Sequence, residues 1–151
     1  MTLMLASVTG PQEAEIAVAH GADIIDLKDS TDGAFGAVTP DVVRATVAAI
    51  KGQRPVSAVT GELPMEPGRI VAAATAMADA GVAYIKVGLF PGPKRPDCIR
   101  ALSTLARRSK IVGVMFASMV GGTGCGLTRS CASRVLLVPT PLVTTQKMEP
   151  V

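Results

Sequence analysis

Five short apolar runs, each separated from the next by a longer amphipathic stretch, constrain the fold of this 151-residue chain more than any other feature. The runs cover residues 3–7, 22–27, 55–60, 83–89 and 110–116, and their length and apolar character are those of strands. Between them, proline in a first turn with an acid close behind marks helix starts at Pro11-Gln-Glu, Thr39-Pro-Asp and Arg95-Pro-Asp, and Gly21, Gly52 and Gly81 mark helix ends. Four helices are expected. Val43, Val47 and Ile50 fall on one helical stripe, as do Ile99, Leu102 and Leu105, and each stripe is expected to lie against a sheet. Strands apolar on both faces and joined by one helix each predict a parallel sheet covered by helices. Ser7-Val-Thr-Gly-Pro stands after the first run instead of Gly-x-Gly-x-x-Gly, which removes the usual support for a dinucleotide-binding sheet. The expected class is therefore α/β, of the (β/α)8 TIM-barrel family. A complete barrel takes eight units and about 250 residues, and only about five strands and four helices are read here.

Composition narrows the partners. The net charge of +3 comes from scattered basic residues, and aromatic residues are 3% of the chain, so a phosphate-tracking or base-stacking surface is not expected and nucleic acid is excluded as a partner. Residues 1–7 are apolar, but Glu13 and Glu15 follow closely, which fits neither a signal peptide nor a membrane span. A cytoplasmic protein is expected. Cys98, Cys125 and Cys131 are odd in number and lack metal-ligand spacing, so they are read as reduced, with no metal site.

Two lysines carry the chemistry. Asp26 and Lys28 are two residues apart at the carboxyl end of the second run, so both project to one face, at the end of a barrel where active sites are built. Lys86 lies inside Tyr84-Ile-Lys-Val, a run otherwise suited to burial. An ammonium there must have a carboxylate partner, a depressed pKa, or both. Two amines at one mouth suit imine chemistry of the class I aldolase kind, one attacking an aldehyde and the other moving protons. The alternative for Lys28 is a surface pair with Asp26 or Asp29. After Lys28, the loop Asp29-Ser-Thr-Asp-Gly-Ala-Phe-Gly-Ala37 offers Gly33 and Gly36 for close approach to a ligand or its phosphate, or as ordinary loop glycines. Glu62, in the loop 61–68 after the third run, is a candidate general base or a solvated loop acid. His20 is expected to be a helix-terminal cation without chemistry.

Ala22-Asp-Ile-Ile-Asp-Leu-Lys-Asp with Asp32-Gly-Ala-Phe-Gly-Ala, Val56-Ser-Ala-Val-Thr-Gly-Glu-Leu-Pro with Glu66-Pro-Gly, and Ala83-Tyr-Ile-Lys-Val-Gly-Leu, in this order, resemble the (5-formylfuran-3-yl)methyl phosphate synthase family over residues 1–117. The resemblance implies a β/α barrel, a lyase that condenses two molecules of glyceraldehyde 3-phosphate into a phosphorylated furan aldehyde on the way to methanofuran-type carriers, and no cofactor. It implies that Lys28 is the Schiff-base lysine and Lys86 a proton acceptor, with Asp26, Gly33, Gly36 and Glu62 as substrate-binding candidates. Glu62 stands where the family is expected to carry aspartate. The small-molecule partner implied is a phosphorylated aldehyde, and a homo-oligomer is the assembly considered.

The resemblance ends near Ala117. Residues 118–151 are rich in Gly, Thr, Ser, Arg and Pro, with Glu149 as the sole acid and Val135-Leu-Leu-Val138 as the sole strand-like run. This second segment is expected to be irregular, either disordered or translated out of frame; Pro139-Thr-Pro-Leu, read from the third base of one permitted set of codons, gives Asp-Thr-Ala, a segment the family carries. Two other functions stand beside the lyase: an inactive half-barrel that only binds or self-associates, and another aldolase-like enzyme on a sugar phosphate.

Overall fold

The computed structural model describes residues 3–32, 35–106, 110–116, 133–138 and 144–145. Five parallel strands, β1 (Leu5–Val8), β2 (Ile24–Leu27), β3 (Val56–Val59), β4 (Tyr84–Leu89) and β5 (Lys110–Phe116), pair in chain order. The crossovers are α1 (Pro11–Ala19), α2 (Pro40–Ile50), α3 (Pro67–Asp79) and α4 (Arg95–Leu105). Sequential parallel pairing through single helices is the half-barrel arrangement expected from the pattern.

The punctuation residues explain the element boundaries. Each helix carries proline at its first or second position, where no intrahelical N–H is needed. α2 is also capped by Thr39, whose Oγ1 accepts from the Val42 N–H at 3.4 Å. α3 begins at Pro67, inside the loop 61–68 read from the sequence. After α1, α2 and α3 the chain reverses through Gly21, Gly52 and Gly81 at φ of 89°, 73° and 89°, a left-handed turn that returns it to the sheet.

The main core fills the space between sheet and helices. Ile25, Ile85 and Val87 from the strands meet Val43, Ile70 and Leu102 from the helices, all essentially buried. Cys98 is buried there too, and burial pushes its thiol up from its ordinary pKa. His20 is exposed at the end of α1 and approaches the Ile16 carbonyl at 2.8 Å. Among the described residues no helix is long and apolar enough to cross a membrane.

Two further strands extend the sheet beyond the five expected. β6 (Ser133–Val138) runs antiparallel to β5, and β7 (Thr144–Thr145) antiparallel to β6. Antiparallel neighbours need no crossover helix, so the strand-helix alternation gives no sign of them; β6 does contain the Val135–Val138 run. The rest of 118–151, with Cys125 and Cys131 and the expectation of an irregular or out-of-frame tail, lies outside the described residues.

Candidate functional site

The strands are not apolar on both faces, which corrects the reading of the apolar runs. Their helix-side face is aliphatic, but the opposite, inner face carries a polar row. Ser7 in β1 stands opposite Asp26 in β2, and Asp26 opposite Ser57 in β3, so three polar side chains share one level of the sheet. Period-two alternation turns all three away from the helices, because Ala6, Val8, Ile25, Leu27, Val56 and Ala58 belong to the helix-side core.

Asp26 is the centre of this row. It is 1% exposed, and its Oδ2 accepts from Lys86 Nζ at 2.5 Å while Oδ1 accepts from Ser57 Oγ at 2.5 Å. Ser7 Oγ approaches Oδ2 at 3.4 Å. Lys86 reaches across from β4, with 23% of its side chain exposed. A carboxylate taken out of water is costly unless paired and hydrogen-bonded; here the ammonium supplies the charge and the hydroxyls occupy remaining lone pairs. No buried side-chain N or O atom among the described residues lacks a partner. Lys86 thus has the carboxylate partner that its place in an apolar run demanded.

Lys28 follows the last residue of β2, its backbone N–H donating to the Val8 carbonyl at 3.1 Å. It is half-buried, and its ammonium makes no ion pair or hydrogen bond among the described residues. The surface pairs considered from the sequence are not formed. Asp26 is committed to Lys86, and Asp29 Oδ1 accepts from Thr31 N at 2.9 Å and Thr31 Oγ1 at 2.6 Å, bonds that hold its carboxyl below the usual range.

The remaining candidates are placed less centrally. A Cβ on Gly36 would sit 1.9 Å from the Asp29 carbonyl oxygen, so the close approach this glycine permits is to its own loop, which the Asp29 N–H to Gly36 carbonyl bond of 2.9 Å closes. Gly33 lies outside the described residues. Glu62 is exposed on the loop after β3; the carboxylate that holds Lys86 is Asp26. Ser7 and Ser57 were not anticipated. Their one signal is a serine in phase with Asp26 on neighbouring strands, which needs the register to be read. On the same level, Tyr84 stands opposite Ser57 and Lys110 opposite Tyr84, and Lys110 Nζ lies 5.3 Å from the centre of the Tyr84 ring, a cation–π contact. Among the described residues no three His, Cys, Asp or Glu gather as a metal site.

A buried carboxylate that holds one amine, two residues before a second amine with no ion-pair partner among the described residues, offers the groups needed for proton transfer and nucleophilic attack. A family model described as 4-HFC-P synthase matches residues 4–122. The chain is 37% identical over 107 residues to the (5-formylfuran-3-yl)methyl phosphate synthase of Methanosarcina mazei, covering 71% of this chain and 46% of that protein. It is 42% identical over 107 residues to the enzyme of that name from Methanosarcina barkeri, with the same coverage. Among solved structures, a dihydrodipicolinate synthase superimposes with a TM-score of 0.56 at 12% identity, over 76% of this chain and 45% of that one, a likeness of β/α-barrel fold. The chain spans about half the length of the curated relatives it matches.

Proposed function

The chain belongs to the 4-HFC-P synthase family, and on that premise we propose that it joins two molecules of glyceraldehyde 3-phosphate into (5-formylfuran-3-yl)methyl phosphate through an imine on Lys28. The Lys28 amine attacks the aldehyde carbon of one triose phosphate. The Lys86 ammonium protonates the departing hydroxyl, which leaves as water, and the neutral amine so formed takes the proton from the carbon next to the imine. The resulting enamine adds to the aldehyde of the second triose phosphate, ring closure and elimination release one phosphate and two waters, and one further water hydrolyses the imine to free the product and the Lys28 amine. Asp26 holds the Lys86 nitrogen in place throughout and balances its charge. Ser57 and Ser7 orient Asp26.

The observation that carries this reading is the 2.5 Å contact between Lys86 and the buried Asp26, with a half-buried Lys28 two residues after Asp26 whose ammonium has no ion-pair partner among the described residues. One amine is anchored where a proton relay needs it, and the other is left for substrate.

The test is borohydride trapping of the full chain with glyceraldehyde 3-phosphate, followed by peptide mapping. The expected result is a reduced adduct on Lys28 that disappears in Lys28→Ala. An unlabelled Lys28 sinks the imine assignment. A labelled Lys28 without furan product leaves a half-barrel that binds the aldehyde but does not complete the reaction.

A further inference from the structure

Gly88 stands two residues beyond Lys86 on the same side of β4, one step closer to the mouth. A methyl group on Gly88 would lie 3.0 Å from Cε2 and 3.2 Å from Cζ of Phe90, and 3.6 Å from Cγ of Phe35. The two rings come from different loops, Phe35 from the one after β2 that Gly36 closes and Phe90 from the end of β4. They meet edge to face, with centroids 6.3 Å apart and planes at 77°, the geometry their quadrupoles favour.

This corner is apolar but separate from the main core. Phe35 is 6% exposed and Val59, the register neighbour of Lys86 in β3, is 2% exposed, yet neither belongs to the helix-side cluster. A second, smaller apolar patch therefore sits on the inner side, around Gly88 at the step beyond Lys86. In a chain with one Tyr, three Phe and no Trp, two of the four aromatic side chains are spent here. Two small, hydrophilic trioses give such a wall nothing to grip; a flat, conjugated five-membered ring does.

We propose that the Phe35–Phe90 corner over Gly88 is a ring-binding wall, which receives the furan as it forms and positions it against Lys86. This rests on the preceding reading that the product is a furan. Phe35 and Phe90 act as positioning and specificity residues, and Gly88 keeps open the space in which the rings meet. Once the intermediate flattens, stacking on the half-buried Phe90 ring, which the buried Phe35 braces edge to face, favours it over the puckered precursors and keeps water from the amine during the last elimination.

The test compares two probes that cannot form imines, so its failure is distinct from failure of the Lys28 assignment. Furfuryl alcohol carries the flat ring, and tetrahydrofurfuryl alcohol has the same skeleton, saturated and puckered. Ligand-observed NMR titration of the full chain is expected to show the flat ring bound about fivefold more tightly, the size of one aromatic contact. Phe90→Leu, which keeps most of the volume, is expected to bring that preference close to one. Gly88→Ala is expected to do the same by displacing the Phe90 ring, and unfolding curves of both variants separate loss of the wall from loss of the fold. Equal binding of the two alcohols by the unaltered chain, no binding of either, or a preference that survives in Phe90→Leu overturns the proposal.

Discussion

Ile85 and Lys86 are neighbours in β4 and live in opposite worlds. Ile85 faces the helices and is fully buried among aliphatic side chains, any of which could be exchanged for another of similar volume. Lys86 faces inward and depends on one oxygen of one carboxylate. Dispersion and burial are non-directional, so the helix-side face should lose stability in small, graded steps. A paired charge is directional, so the inner face should lose it abruptly and lose chemistry with it.

The sharpest way to break this comparison is to remove Asp26. Asp26→Ala strands Lys86 without its counter-charge, and we expect a cost of about 3–5 kcal/mol in urea unfolding together with loss of borohydride trapping. Replacing the pair as a whole, Asp26→Leu with Lys86→Met, should recover most of that stability without restoring trapping. No recovery in the double variant would mean that the inner face is held by more than the pair.

Ser57→Ala probes the next level. It takes away a hydrogen bond to a charged acceptor but leaves the ion pair, and should cost about 1.5–3 kcal/mol by the same measurement, with slower trapping as Asp26 gains freedom. Across the sheet, Ile85→Val should cost about 0.5–1.5 kcal/mol and leave the trapping yield unchanged. A fall in yield there would show that the two faces are coupled.

The smallest effect sets a surface carboxylate against the buried one. Glu13 is fully exposed, and its Oε2 accepts from the Thr9 N–H at 2.7 Å and from Thr9 Oγ1 at 3.0 Å. These bonds, the backbone one first, hold its pKa below the model-peptide value of 4.5. A lowered folded pKa contributes stability that is present above the unfolded value and is lost as pH falls through the folded one. The Tm difference between the unaltered chain and Glu13→Gln should therefore be present at neutral pH and close on acidification below 4.5.

What could be read from the chain follows the same division. Proline at helix starts, glycine at helix ends and the stripe of Val43, Val47 and Ile50 are local signals, and they delivered five strands and four helices in the right order. Lys86 was legible because an amine inside an apolar run is anomalous by itself. Its partner was not, since Asp26 is 60 residues away and reads locally as a partner of Lys28 or a substrate-binding residue. Ser7 and Ser57 carry no local anomaly at all; only the register of three strands brings them to Asp26. Phe35 was quoted as part of a loop, and its meaning depends on Phe90 and on a missing side chain at Gly88. β6 was legible only as the strand-like run Val135–Val138 inside a segment read as irregular, because antiparallel pairing breaks the alternation on which the other strands were recognised.

The polar row across β1, β2 and β3, completed by Lys86 from β4, has a consequence for the fidelity of folding. Strand register is quantised, and a slip of one residue turns every side chain of a strand to the other face. A slipped β4 would present Ile85 or Val87 to Asp26 and bury an amine against the helices; a slipped β2 would do the reverse to the carboxylate. No misaligned sheet can therefore assemble the relay, and any molecule that traps substrate has certified the alignment of four strands drawn from four successive units of the chain.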